Sequence, residues 1–197
     1  MGPPVGRRER SKQEKLARIT EVARALFAER DADDITTREV AERADVATGT
    51  LFLYARTKGE LLLLAHNAAY EHALGQGMAA ADEAGEVVEG VMAVLASVVA
   101  CNRSHLGNGR TYLREMVFGD PREPHHAAAI DLSRRTEQAV ADVVERLGGR
   151  SSDEAATLAR VVSSVLLLSM GSPLALTQTE DEVLAEIRRQ VTAVVTG

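Results

Sequence analysis

Residues 36–62, TTREVAERADVATGTLFLYARTKGELL, constrain the fold more than any other stretch, because they read as two short helices around a tight turn, with a third helix beginning behind them. Thr36 and Glu39, three apart, form a capping box that opens the first helix. Within it Val40, Ala41 and Ala44 share an apolar side, while Arg38, Glu42 and Arg43 face water. Ala41 is small where the helices must approach closely. Asp45 falls at the turn position that takes a positive φ, Val46 fills the space between the helices, and Leu51 packs back from the second. Thr48, Gly49, Thr50, Phe52 and Tyr54 then face outward, a small, hydroxyl-rich and aromatic surface suited to a groove wall and to phosphates. This is the layout of a helix-turn-helix reader of double-stranded DNA.

A formal net charge of −6 over 197 residues looks wrong for such a reader until the chain is divided. Residues 1–60 carry twelve Lys and Arg against eleven Asp and Glu, and the excess acid lies beyond them. Basic charge is densest at the start, where Arg7, Arg8, Arg10, Lys12, Lys15 and Arg18 face only Glu9 and Glu14, as in an arm that lies along phosphates. That start lacks an apolar segment after its basic residues, so it is not read as a signal peptide. No uninterrupted apolar run reaches the ~18 residues a membrane span needs. One cysteine, Cys101, rules out an internal disulfide and fits a reducing compartment. A cytoplasmic protein without a membrane partner is the expectation.

Apolar periodicity makes the whole chain all-α. Helices are expected over residues 12–29, 58–74 (fading at Gly75-Gln76-Gly77), 86–104, 112–118 (after a Gly107-Asn108-Gly109 turn) and 125–147. Capping boxes at Ser151 with Glu154 and at Thr179 with Glu182 open the last two. The first of this pair carries Val161, Val162, Val165, Leu166, Leu167 and Leu168 around nearly its whole circumference, so it needs cover on two sides. The second, with Val183, Leu184, Ile187, Val191 and Val194 on one side, is amphipathic. Cys101 and His105 are four apart and His125-His126 follow a Pro-bounded loop, but the spacing matches no zinc finger. The cysteine reads as a small buried group and the histidines as surface groups. Neither a metal nor a cofactor is expected, and the absence of a phosphate loop or nucleophile elbow gives no argument for an enzyme.

The ordered set Leu26-Phe27, Thr36-Thr37-Arg38-Glu39-Val40-Ala41, Val46, Gly49-Thr50-Leu51-Phe52-x-Tyr54 and Lys58 before Leu61-Leu62 resembles the N-terminal domain of the TetR family of bacterial transcriptional regulators. The resemblance implies an N-terminal three-helix helix-turn-helix domain over residues 1–57 and a C-terminal effector-binding and dimerisation domain over 58–197. It implies DNA contacts from Thr37, Arg38, Thr48, Gly49, Thr50 and Phe52, a phosphate bond from Tyr54 and a backbone clamp at Lys58. It also implies a homodimer on a pseudo-palindromic operator, formed through Val162, Leu166, Leu184, Ile187 and Val191, and a repressor released by a small-molecule effector. Candidate lining residues of the effector pocket are Met92, Leu95, Val99, Tyr112, Met116, Phe118 and Met170, which mix apolar bulk with thioethers and a hydroxyl. Three departures stand out: Asp45 where Gly is usual, Ala47 where a capping Ser is common, and Leu53 and Ala55 where larger residues are found. They motivate the alternative reading, a helical small-molecule binding protein whose reading head is silent.

Overall fold

The computed structural model describes residues 6–197. Among them are nine α-helices: α1 (Arg7–Glu29), α2 (Thr37–Arg43), α3 (Thr48–Leu51), α4 (Lys58–Asp82), α5 (Val87–Arg103), α6 (Leu106–Phe118), α7 (Pro124–Gly148), α8 (Ser152–Gly171) and α9 (Glu180–Val195). Short 3-10 turns at Ala32–Asp34 and Pro173–Leu176 complete the order, and there is no strand among the described residues. Local chemistry sets most boundaries. Thr36, Thr57, Ser151 and Thr179 accept the backbone N–H of the residue three positions on, which satisfies donors that the first helical turn leaves orphaned. The boxes at Ser151 and Thr179 are reciprocal. At Thr36 only half the expected box forms, because the Glu39 carboxylate turns to Arg30 (2.5 Å) and Arg43 (3.1 Å).

Helices α1–α3 form the head, and α4 runs from it into the body as a 25-residue strut. Its expected fade at Gly75-Gln76-Gly77 does not occur: the helix continues to Asp82. Gly77 is there for a crossing, since a Cβ would sit 2.9 Å from the Cα of Val94, so α4 and α5 meet backbone to backbone. α5 is the central helix, with Val91, Val94, Leu95 and Val99 fully buried. α6 follows at a bend of 111° and starts at Leu106, so Gly107-Asn108-Gly109 is its first turn and not a loop before it. Any side chain at Gly109 would run into the Asn102 carbonyl oxygen.

α7, α8 and α9 close the body. By length and composition α8 would suffice to cross a membrane, although it has no uninterrupted apolar run of that length. Its Ala155, Ala159, Val162, Leu166 and Met170 are instead part of the core. Nearly all the buried apolar residues form one continuous cluster from Ile19 to Val195. The expected boundary at residue 57 is thus the N-cap of a helix that head and body share. The first five residues of the expected basic arm lie outside the described residues; α1 begins five residues earlier than expected, so Arg8, Arg10 and Lys12 are helical.

Candidate nucleic-acid interface and effector cavity

The helix-turn-helix is braced from three sides. Asp45 holds φ at 52°, the left-handed conformation its position demands, and the Val46 N–H closes the turn onto the Ala41 carbonyl at 3.0 Å. From α1, Arg18 Nε donates to the Ala44 carbonyl at 3.2 Å, satisfying the end of α2. Leu51 and Ala55 are buried beneath α3. Ala47 contributes no side-chain cap, and α3 starts at Thr48 as a single turn.

This framework leaves Gly49 exposed and Thr48, Thr50 and Thr37 half-buried. Arg38 is exposed and ion-paired with Glu42 at 2.8 Å. Phe52 is 42% exposed and Leu53 83% exposed. Leu53, marked in the sequence only as a departure from the family pattern, adds to this exposed surface. Tyr54 is half-buried, and its hydroxyl donates to the Lys12 carbonyl at 3.2 Å. Lys58 Nζ folds back on Asp33, 3.3 Å from its carbonyl and 3.6 Å from its carboxylate. The eight expected contact residues lie along the path from α2 through α3 to the start of α4, but Arg38, Tyr54 and Lys58 already have partners.

A cavity of about 180 Å3 lies among α4, α5, α6, α7 and α8. Its wall is apolar, from Tyr70, Val98, Leu113, Leu132 and Leu166, and polar at Ser133, Thr136, Ser163 and Ser164. Arg160 and Glu137, paired at 3.3 Å, also border it. The rings of Tyr70 and Tyr112 stack at 4.2 Å, and burial raises both phenol pKa values. Of the seven residues expected to line a pocket, Tyr112, Met116 and Met170 do so. Met92, Leu95 and Val99 are buried core that the cavity does not reach. Phe118 is 82% exposed on the outside, on the face of α6 that carries Arg110 and Arg114.

The expected dimer residues also need correction. Val162, Ile187 and Val191 are fully buried and Leu166 nearly so within one protomer, and side chains already enclosed cannot cover a partner; Leu184 is half-buried and stays partly free. The free apolar side is one helical step away. Val161, Leu168 (73% exposed), Leu174 (71%) and Leu176 face solvent, and a groove of about 940 Å3 bordered by Leu168 runs along Arg110, Arg114 and Phe118.

The histidines and Cys101 do not assemble a metal site. His105 is the N-cap of α6 and faces Asp31 at 3.8 Å, while His126 is buried, contrary to its expected surface position. Burial pushes the Cys101 thiol up to about 11, so it is a neutral packing group. Among the described residues no group of three or more metal-ligating side chains exists.

Residues 19–65 match the family of bacterial regulatory proteins, tetR family. Among solved structures, a TetR transcriptional regulator from Rhodococcus sp. RHA1 superposes with TM-score 0.72 at 19% identity, covering 93% of this chain and 97% of that one. A TetR-family regulator from Streptomyces coelicolor gives 0.65 at 20% identity, covering 93% and 95%. The Thermus thermophilus repressor FadR in complex with lauroyl-CoA gives 0.64 at 19%, covering 89% and 92%. Among curated proteins none matches by sequence.

Proposed function

We propose that this chain, which carries a tetR-family N-terminal domain within the fold of TetR-type transcriptional regulators, is a homodimeric repressor that leaves its operator when a small molecule enters the cavity. The carrying observation is the surface from Thr48 to Tyr54, held outward by a completed helix-turn-helix while Leu51 and Ala55 anchor it beneath. One such head reads a half-site, so two heads on a pseudo-palindrome are needed for useful affinity. Pairing through the exposed side of α8 and the turn after it would bury Leu168 and Leu174, which are otherwise left in water.

In the cavity, stacked tyrosines, two methionines and leucines favour an apolar body, while Ser133, Ser163 and Ser164 offer hydrogen bonds to one or two polar groups. The Thermus repressor of this fold carries lauroyl-CoA. About 180 Å3 suits something smaller, since a comparable apolar void takes a benzene-sized guest. The protein acts by binding rather than catalysis, in the cytoplasm, with DNA and effector as partners.

The test is a gel shift on DNA from upstream of its own gene across a salt series. A specific shift that weakens steeply with salt supports this reading. No shift by folded, dimeric protein would instead favour the helical binding protein with a silent head.

A further inference from the structure

The turn before α7 and its first residues are fastened to the head at several points. Glu123 pairs with Arg56 at 3.3 Å. The Glu60 carboxylate accepts the backbone N–H groups of His125 (3.1 Å) and His126 (3.0 Å), capping α7 from the start of α4. The His125 ring nitrogen Nε2 lies 2.8 Å from the Tyr54 carbonyl, which only accepts, so Nε2 carries the proton. This carbonyl follows directly on the reading surface.

One side chain joins this fastening to the cavity. Asn67, half-buried on α4, accepts the Tyr112 hydroxyl on its Oδ1 at 2.9 Å and donates from Nδ2 to the His125 carbonyl at 3.0 Å. Tyr112 lines the cavity; Asn67 does not. The hydrogen-bonded path therefore runs from the cavity wall through Tyr112, Asn67 and His125 to Tyr54, and uses the amide in both of its roles.

We propose that Asn67 and His125 are positioning residues that transmit the placement of Tyr112 in the cavity wall to the end of the recognition helix. This deepens the regulatory reading above and rests on it for its biological purpose. An occupant that moves the Tyr112 ring pulls on Asn67. It thereby loosens the seat of α7 on Tyr54, two residues beyond Phe52. The path is a physical coupling element with an identifiable donor and acceptor at each link, and it predicts which side chains far from DNA change the head.

Amide hydrogen exchange of the full-length protein tests this without effector or operator. Tyr112→Phe removes one hydroxyl buried in the body, and is expected to speed exchange of the amides from Phe52 to Arg56 about fivefold, the loss of one hydrogen bond's worth of protection. Asn67→Leu breaks both links and should do at least as much, with the double variant no worse than Asn67→Leu alone. Thr111→Val, which deletes a hydroxyl one residue earlier on α6 but outside the path, should leave head exchange at the wild-type rate. If Tyr112→Phe disturbs folding, Asn67→Asp serves in its place, keeping the acceptor for Tyr112 and removing the donor to His125. Unchanged head exchange in both Tyr112→Phe and Asn67→Asp, additive effects, or equal acceleration by Thr111→Val would overturn the proposal. A wild-type chain that binds no upstream DNA, yet shows the expected exchange pattern, would sink the repressor reading and leave the relay standing.

Discussion

At Asp45 a non-glycine residue sits at φ 52°, where a short polar side chain is tolerated and a β-branched one is not. Asp45→Gly is expected to leave stability unchanged or slightly higher, and Asp45→Val to lower it by roughly 1–2 kcal/mol in urea unfolding. Lys58 poses a different question, because its ammonium rests on Asp33 in the free protein. If it clamps a phosphate it must leave that partner, so Asp33→Ala should strengthen DNA binding at low salt. Lys58→Ala should lower the slope of log affinity against log salt by about one unit without changing base preference. His66 lies between the rings of Phe27 and Tyr112, its Nε2 without a partner. Burial, with His105 a lesser cause, pushes its pKa down to about 4. The unfolded chain takes up a proton near pH 6.5 while the folded chain does so only near 4, so stability falls as pH drops through that window. The loss, up to roughly 3 kcal/mol, should disappear in His66→Gln when unfolding is followed from pH 7 to 4.

At the scale of the element, α8 has two apolar faces with different duties. Val162 and Leu166 point into the chain's own core, whereas Val161 and Leu168 face outward. Val162→Glu is therefore expected to unfold the protomer, since an unpaired buried charge costs several kcal/mol. Leu168→Glu should leave circular dichroism intact and yield monomers in sedimentation, with operator binding lost alongside. A Leu168→Glu protein that remains dimeric would place the interface elsewhere.

For the molecule as a whole, effector and operator must oppose each other by the same factor, because coupling free energies are reciprocal. Met116→Ala enlarges the cavity wall and should alter the effector response with little change in ligand-free operator affinity. Leu95→Ala, fully buried and away from the cavity, should instead destabilise the fold by about 2–5 kcal/mol. Titrating the effector against operator-bound wild type and both variants separates the two outcomes; equal effector affinity with and without DNA would refute induction.

Local patterns were legible in the sequence. Residue spacing located the helix-turn-helix, the positive φ at Asp45 and the reciprocal caps at Ser151 and Thr179, because each depends on neighbours a few positions away. Long-range packing decided the rest. Gly77 continues a helix because α5 crosses there, and Glu39 abandons Thr36 because Arg30 approaches from α1. Val161 and Val162 are alike in chemistry, and only the position of α7 and α9 determines which is enclosed. Met92 and Met116 both read as pocket-lining thioethers, but which one faces a void depends on how five helices fail to fill the space between them. Asn67 carried no sequence signal at all, since a half-buried asparagine acquires a role only from the donor and acceptor that the fold brings to its two ends.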